Sequence, residues 1–256
     1  MGGRDRVPGL AAPVPGRPAR VGVIDYGAGN LVSIGQGLEA VGAEITVVDR
    51  GRPLDVFDGL VVPGVGAARP AMNRLRRRGL LDPVLDWLAA DRPYLGICLG
   101  LQLLFEGSDE DGAVTFGVLP GRTRLLADAP RLPHIGWNQV EQRQIHPLFA
   151  GIAQAANFYF VHSYSGEVAD TDTSDLVLAE TTYGRSFASA VARHNVAGVQ
   201  FHPERSGVDG LRLLANFVDS LAAVDDRNAE LRSPPARGSA RPAEIPAVAI
   251  AVGGRA

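Results

Sequence analysis

The sequence predicts an α/β fold: an open, mostly parallel twisted sheet with helices on both faces and added antiparallel strands. The periodicity of the apolar residues predicts it. Before Val114, short strand-like runs alternate with segments of helical spacing, and from Val114 to Gln200 the strands become shorter and alternate with Gly, Asp and Pro turns. A hydrophobic fraction of 46% over 256 residues is enough to form a buried core between such layers.

The first predicted elements are a strand, a helix and two further strands. The β-branched runs Arg20–Asp25 and Ala43–Asp49 predict strands, and the apolar run Gly59–Val62 predicts another. The helix between the first two is indicated by apolar residues at helical spacing, namely Leu31, Ile34, Leu38 and Val41. This order is typical of a parallel sheet.

The next elements carry clearer boundary signals. Asp82 followed by Pro83 predicts the N-cap and first turn of a helix, which Asp91-Arg-Pro ends before the predicted strand Tyr94–Ile97. Another helix is expected directly after Cys98. The last predicted helix carries its apolar stripe at Leu211, Leu214, Phe217 and Leu221.

The two ends of the chain differ from the body in composition. Residues 1–20 and 224–256 are rich in Pro, Gly, Ala and Arg and have no sustained apolar period. We therefore expect a disordered N-terminal extension over 1–20, one functional domain over 21–223 and a disordered C-terminal tail over 224–256. The short apolar run 247–252 leaves a docked terminal strand as the alternative.

Composition excludes several classes of function. The 25 basic and 28 acidic residues give a net charge of −3, which does not suit a nucleic-acid-binding surface. All of the basic residues are arginine, so Schiff-base lysine chemistry and Walker-type phosphate loops are excluded. The single cysteine cannot form an internal disulfide, no histidine has metal-ligand spacing, and no apolar run reaches the ~20 residues of a membrane span. We expect a cytoplasmic protein without a metal site.

The single cysteine, Cys98, stands where a predicted strand turns into a helix. Gly96 and Gly100 flank it two residues to either side, as in a nucleophile elbow, where larger side chains would crowd the strand and the helix. The unpaired N–H groups of the helix start would favour thiolate over thiol. The alternative is a cysteine that only fills apolar space.

A histidine and a glutamate follow a later predicted strand. His202 and Glu204 are two residues apart, so their side chains leave the same face. Glu204 would fix the imidazole tautomer, and His202 would carry protons for a nucleophile. The alternative is a surface histidine beside a helix-capping acid. Together with the cysteine elbow, the pair favours a Cys-His-Glu triad.

Three weaker patterns complete the set. The strand ending in Pro63-Gly-Val-Gly runs into a loop whose backbone N–H groups could stabilise an oxyanion, although such a segment can also be a simple turn. His134 and His162 lie on strand-like segments and are expected to be core or cleft residues. The basic run of Arg74, Arg76, Arg77 and Arg78 favours a solvated helix face, with anion or subunit contact as the alternative.

The segment Gly-Ile-Cys-Leu-Gly-Leu-Gln, with a later Phe-His-Pro-Glu, resembles the triad (class I) glutamine amidotransferases. Within that superfamily, five segments in the same order are similar to the glutaminase subunits of imidazole glycerol phosphate synthases. The resemblance covers about residues 21–220, and the segments begin at Ile24, Pro63, Pro133, Tyr159 and Gln200.

The resemblance implies that Cys98 attacks the side-chain amide of glutamine, that His202 moves the protons and that Glu204 orients His202. Glutamine would become glutamate and ammonia through a cysteinyl thioester, with no cofactor. Ammonia would pass to a cyclase partner, a (β/α)₈ barrel, in a heterodimer of histidine biosynthesis. The partner would then make imidazole glycerol phosphate and aminoimidazole carboxamide ribotide.

The resemblance also implies roles for residues at matching positions. The glutamine contacts are expected at Gly64, Val65, Gly66, Leu99, Gln102, Ser163 and Tyr164. The partner contacts are expected at Asn30, Trp137 and Arg205, where arginine replaces the usual lysine and changes the geometry of any ion pair. The alternatives are a glutaminase subunit of another synthase, for example in pyridoxal phosphate synthesis, and a catalytically silent regulatory subunit.

Overall fold

A computed structural model describes residues 17–168 and 175–232. In chain order the strands are β1 (Arg20–Ile24), β2 (Glu44–Val48), β3 (Gly59–Gly64), β4 (Tyr94–Cys98), β5 (Gly107–Ser108), β6 (Ala113–Val114), β7 (Gly121–Leu125), β8 (His134–Gln142), β9 (Ala156–His162), β10 (Tyr164–Val168), β11 (Val177–Tyr183), β12 (Arg185–Arg193) and β13 (Val196–Val199). The helices are α1 (Leu31–Ala40), α2 (Ala68–Arg77), α3 (Leu81–Ala89), α4 (Leu99–Gln102) and α5 (Gly207–Arg232).

Nine of the described strands form one sheet, in the order β2-β1-β3-β4-β13-β12-β11-β8-β9. The ladders from β2 to β13 are parallel and those from β13 to β9 are antiparallel. The remaining described strands form a smaller sheet, β10-β7-β5-β6. The predicted α/β class is confirmed, with a larger antiparallel share than expected, because β12 and β13 pair as a hairpin and continue the parallel sheet with antiparallel strands.

Helices cover both faces of the parallel half, as the apolar spacing predicted. Along β1, Val21 and Val23 belong to a core cluster shared with α1 and α5, whereas Ile24 belongs to a second cluster shared with α2 and α3. Alternating side chains point to opposite faces of a strand, so each parallel strand contributes to two cores. Among the described residues, no helix is long and apolar enough to cross a membrane.

One predicted boundary is wrong. The α3 helix begins at Leu81 with Leu80 at the N-cap position, so Asp82 is inside the first turn and is not the cap. Leu80 and Leu81 are both buried, and their packing draws the helix start two residues earlier than the capping signal predicts. Asp82 still suits this position, because an acidic side chain in the first turn complements the helix dipole.

Described structure extends past both ends of the predicted 21–223 domain. Arg17 forms an ion pair with Asp58 at 2.7 Å, and the backbone N–H of Arg20 donates to the same carboxylate at 2.7 Å. At the other end, α5 continues to Arg232. Residues 1–16 and 233–256 lie outside the described residues, so disorder there stays a prediction, as does the alternative strand over 247–252.

Candidate active site

Cys98 ends β4 in a strained turn. Its φ of 54° and ψ of −106° lie outside the regions that residues with a side chain normally adopt. A Cβ on Gly96 would overlap the carbonyl oxygen of Gly100, and a Cβ on Gly100 would overlap that of Val62. Both glycines are therefore required sterically, and the turn places Cys98 at the N-terminal end of α4, as the elbow motif predicted.

Polar groups surround the sulfur of Cys98, although the residue is only 5% exposed. The side-chain amide of Gln200 donates a hydrogen bond to Sγ at 3.6 Å, and Sγ lies 4.0 Å from the carbonyl oxygen of Val161. A cysteine that only filled apolar space would not have these neighbours. The packing interpretation of Cys98 does not account for this environment.

His202 follows β13 and is held in place by hydrogen bonds on two sides. Its Nδ1 lies 2.9 Å from Oε1 of Glu204, and the Glu204 side chain is 2% exposed. Its backbone N–H donates to the carbonyl of Tyr159 at 2.8 Å, and its own carbonyl accepts from the hydroxyl of Ser206 at 2.6 Å. Since Tyr159 belongs to β9, the far strand of the sheet curls back to the end of β13.

The electrostatics of His202 favour the imidazolium. Burial lowers its pKa, but Cys98 and Glu204 together raise it more, from 6.5 to about 10. Glu204 occupies Nδ1, so Nε2 is the nitrogen left to interact with Cys98, which raises the pKa of His202 through a hydrogen bond and through its charge. Nε2 is thus the ring nitrogen that can exchange a proton with a bound molecule.

The predicted oxyanion segment lies beside Cys98. Gly64 is the direct register partner of Cys98 in the parallel β3–β4 ladder. Val65 is 47% exposed, and Gly66 has a φ of 89°, which favours glycine. Leu99 opens α4, so its N–H has no partner within the helix and can serve an anion.

Two further predicted glutamine contacts, Gln102 and Tyr164, are joined by a hydrogen bond. Ser163 and Tyr164 follow β9 directly, and the Tyr164 carbonyl accepts from Nε2 of Gln102 at 2.8 Å. The same Nε2 donates to Oε1 of Gln200 at 3.1 Å. Because protein groups use the amide nitrogen of Gln102, its Oε1 is the atom that remains for a substrate contact.

His134 and His162 form a buried pair beside the Tyr164 carbonyl. His162 Nδ1 lies 2.9 Å from the Tyr164 carbonyl, which can only accept, so Nδ1 carries the proton and Nε2 accepts from Nδ1 of His134 at 3.2 Å. The amide nitrogen of Asn138 lies 3.3 Å from Nε2 of His134 and completes the series. Burial lowers the pKa of His134 to about 4 and that of His162 to about 3, so both rings are neutral.

Two of the predicted partner contacts lie on one aromatic ring. The guanidinium of Arg205 lies 4.3 Å from the ring centroid of Tyr159, and the ring of Trp137, 57% exposed, lies 6.2 Å from the same centroid. Asn30 caps α1, where it accepts from the backbone N–H of Ser33 at 3.3 Å. Neither the ring cluster nor the cap by itself tests a partner contact.

The basic run on α2 only partly matches the solvated face that the sequence suggested. Arg76 and Arg77 are exposed, but Arg78 donates to the backbone carbonyl of Asp25 at 2.7 Å and Arg74 to that of Gly27 at 3.3 Å. These two arginines hold the loop after β1. The reason is tertiary: the C-terminal end of α2 lies beside the loop after β1, so these side chains reach its backbone carbonyls.

The sequence alone predicts no role for Gln200 or Val161, which both contact the Cys98 sulfur. Gln200 had a usable signal, since it stands two residues before His202 and a strand places such residues on one face. Val161 contributes only its backbone carbonyl to this contact. Every residue type has that group, so the sequence gives no signal for the contact.

The chain is similar to known proteins over most of its described length. The family model for class-I glutamine amidotransferases matches residues 22–221. The imidazole glycerol phosphate synthase subunit HisH of Nitrosococcus oceani is 49% identical over 205 residues, which cover 77% of this chain and 96% of the relative. The HisH subunit of Symbiobacterium thermophilum is 48% identical over 200 residues, covering 78% and 93%.

Solved structures agree on the fold. PurLQS from Thermotoga maritima has a TM-score of 0.64 at 18% identity, covering 80% of this chain and 99% of that one. A protein called glutamine amidotransferase has a TM-score of 0.62 at 22% identity, covering 79% and 98%. With the family match and the curated relatives, this places the chain: it belongs to the class-I glutamine amidotransferase family, among the HisH subunits of imidazole glycerol phosphate synthase.

Proposed function

We propose that this chain hydrolyses L-glutamine to glutamate and ammonia as the glutaminase subunit of imidazole glycerol phosphate synthase. The observation that carries the chemistry is the strained Cys98 turn beside a His202–Glu204 pair at 2.9 Å. A nucleophile, a proton carrier and a group that orients the carrier form the general arrangement for acyl transfer.

In the acylation half, the Cys98 thiolate attacks the side-chain amide carbon of glutamine and forms a carbon–sulfur bond. The carbonyl oxygen becomes an oxyanion, and the imidazolium of His202 gives its Nε2 proton to the amide nitrogen. The carbon–nitrogen bond then breaks, ammonia leaves, and a glutamyl thioester remains. General acid catalysis of this kind contributes about 10²- to 10⁴-fold to the rate.

In the deacylation half, neutral His202 takes a proton from water while the water oxygen attacks the thioester carbon. The carbon–sulfur bond breaks, the thiolate and the imidazolium are restored, and the glutamate side chain leaves as the acid and ionises in water. Glu204 keeps Nδ1 of His202 occupied throughout, so Nε2 exchanges the proton in both halves.

The oxyanion of both halves needs backbone donors. Leu99 N–H opens α4, and the Gly64–Val65–Gly66 segment runs alongside Cys98 with a glycine at positive φ. A peptide flip at such glycines has a small energetic cost, so this segment is a candidate switch. One well-placed oxyanion donor is worth about 10²- to 10³-fold in rate. Gln102, Ser163 and Tyr164 would contact the rest of the glutamine.

The proposed partner is the cyclase subunit of the synthase, a (β/α)₈ barrel in a heterodimer that uses the ammonia to make imidazole glycerol phosphate and aminoimidazole carboxamide ribotide. The support is that the relatives are named as subunits of this synthase. Trp137, Arg205 and Asn30 are the proposed contacts, and exposed Trp137 and Arg205 are residue types favoured at interfaces. The proposed location is the cytoplasm.

The test measures glutamate release by the purified chain alone, with the cyclase subunit, and with the cyclase carrying its ribonucleotide ligand. We expect weak activity alone, strong activity with the ligand-bound partner and none in Cys98→Ala. Ser220→Ala is the matched control, because it also removes one heavy atom but lies on α5, where its hydroxyl donates to the Phe217 carbonyl at 2.6 Å. It is expected to keep wild-type activity.

Other outcomes would move the assignment. Full activity that ignores the cyclase would keep the triad but point to another synthase. Folded protein without activity under any condition would favour the silent regulatory subunit, and undiminished activity in Cys98→Ala would remove the proposed nucleophile.

A further inference from the structure

Gln200 is a fully buried polar side chain whose amide contacts both Cys98 and Gln102. It is 0% exposed, lies just after β13, and has its backbone N–H bonded to the Ser189 carbonyl at 2.9 Å. Its Nε2 donates to Cys98 Sγ at 3.6 Å, and its Oε1 accepts from Gln102 at 3.1 Å. A buried amide with both ends occupied is a fixed group.

The network decides which end of the Gln200 amide faces the sulfur. The Tyr164 carbonyl can only accept, so the end of Gln102 that lies 2.8 Å from it is the amide nitrogen. That nitrogen also faces Gln200, which must present its oxygen to Gln102. The Gln200 amide nitrogen therefore faces Cys98. His162 Nδ1 donates to the same Tyr164 carbonyl and helps to hold it.

We propose that Gln200 is a further catalytic residue: its side-chain N–H group hydrogen-bonds the Cys98 sulfur, fixes the direction of that side chain and stabilises the thiolate. The proposal builds on the proposed glutaminase function, in which this thiolate attacks glutamine. Hydrogen bonds to an ionised acceptor are about twice as strong as those between neutral groups, so the donor favours the charged sulfur.

A neutral donor has a different role from the titratable groups around it. Tyr26 and His202 couple electrostatically to Cys98, and Glu204 and the neutral ring of His162 couple to His202. His202 changes charge during the reaction, because it gives up and regains a proton. The Gln200 amide keeps its N–H groups in every protonation state, so it can hold the sulfur while His202 moves the proton.

The test measures the rate of iodoacetamide alkylation of the full chain as a function of pH. Cys98 is the only cysteine, so the signal comes from one thiol. In Gln200→Met, which keeps length but loses the donor, we expect the midpoint of the profile to move up by about one pH unit, a roughly tenfold loss of thiolate below the midpoint. Gln102→Met, which removes the bond that orients Gln200, should move it less in the same direction.

Gln142→Met is the matched control. Gln142 is a hydrogen-bonded glutamine of β8 whose amide nitrogen donates to the carbonyls of Ile152 and Ala153, both at 3.1 Å. Its substitution should leave the midpoint unchanged. With glutamine as substrate and the cyclase present, Gln200→Met should lower kcat about tenfold and leave KM nearly constant.

An unchanged midpoint in folded Gln200→Met would overturn the proposal. If that variant does not fold, Gln102→Met decides: a raised midpoint supports the role of Gln200, and an unchanged one contradicts it. Alkylation needs neither glutamine nor the cyclase. Failure of this inference can therefore be told apart from failure of the proposed function, which would appear as missing activity in the wild-type protein.

Discussion

His202 and the His134–His162 pair lie in two regions that are about equally buried but shift the histidine pKa in opposite directions. The three residues are 7%, 3% and 7% exposed, respectively. The pKa of His202 is raised to about 10, whereas the pKa values of His134 and His162 are lowered to about 4 and about 3. Burial alone lowers all three, so burial does not explain the difference.

The partners explain it. His202 lies between Cys98 and Glu204, which favour its charged form, whereas His162 contacts a carbonyl and another neutral ring. His202 belongs to the parallel half, where chain turns after β4 and β13 place ionisable groups together. The β8–β9 hairpin instead uses neutral rings to hold the carbonyl of Tyr164. The same residue type is therefore charged in one region and neutral in the other.

The largest expected effect comes from removing the Glu204 carboxylate, which favours the charged form of His202. Glu204→Gln keeps the shape but replaces the carboxylate that orients the ring, so kcat for glutamine hydrolysis should fall by about 10²- to 10⁴-fold. Steady-state assays with the cyclase measure it. Glu180→Gln is the control, because Glu180 pairs with Arg143 at 2.7 Å in the antiparallel half. A loss of less than tenfold in Glu204→Gln would contradict the orienting role.

The His134–His162 pair should affect the free energy of unfolding but not the pH dependence of glutamine hydrolysis. His162→Phe leaves the Nδ1–H of His134 without its acceptor, which should lower the free energy of unfolding by about 1–3 kcal/mol. The pH–rate profile of glutaminase activity should keep its midpoints. Urea unfolding and kcat/KM against pH measure both. His194→Gln, at an exposed histidine, is the control, and a moved pH–rate midpoint in His162→Phe would break the distinction between the regions.

The opposite pKa shifts predict that the two regions lose stability at opposite ends of the pH range. His134 and His162 take up protons in the unfolded chain near pH 6.5 but in the folded protein only near 4 and 3, so stability falls as pH drops below about 6.5. The raised pKa of His202 stabilises the fold below about pH 6.5, and this contribution is lost as pH rises towards about 10. Each slope approaches about 1.4 kcal/mol per pH unit for each proton.

Urea unfolding at a series of pH values tests both pH dependences. In His162→Phe, the free energy of unfolding should fall less steeply as pH drops below about 6.5. In His202→Gln, it should fall less steeply as pH rises above about 6.5. If His162→Phe instead changed the alkaline pH dependence, or His202→Gln the acid one, the assignment of charge states would be wrong.

The smallest effect is expected where the two regions touch. Arg205 follows His202, and its guanidinium lies 4.3 Å from the ring centroid of Tyr159 in β9. An exposed cation–π contact contributes about 0.5–1 kcal/mol. A double-mutant cycle with Arg205→Ala and Tyr159→Leu should give a coupling energy of this size, measured by urea unfolding. A coupling near zero would mean that the contact does not join the regions.

Much of the site is encoded locally and could be predicted. Gly96 marks the Cys98 turn, because a side chain there would overlap the nearby Gly100 backbone. His202 and Glu204 are also close in sequence, but they meet at the 3₁₀ turn Pro203–Arg205 and not on one face of a strand, as their spacing predicted. Gly100 is required by a tertiary contact, since a side chain there would overlap the Val62 carbonyl of β3. The strand and helix periodicities likewise predicted the α/β class. The predicted cap at Asp82 failed because burial of Leu80 and Leu81, a tertiary effect, outweighed a local signal.

The sequence by itself determined the Cys98 turn, the His202–Glu204 pair and the class of fold, since these depend mainly on residues close together in the chain. Only the tertiary structure decided that Gln200 contacts Cys98 across 102 positions, that Val161 does so across 63, and that Arg78 holds the loop at Asp25 across 53. Such contacts depend on how the sheet curls and on strand register. Local spacing carries no information about which distant side chains that curvature brings together.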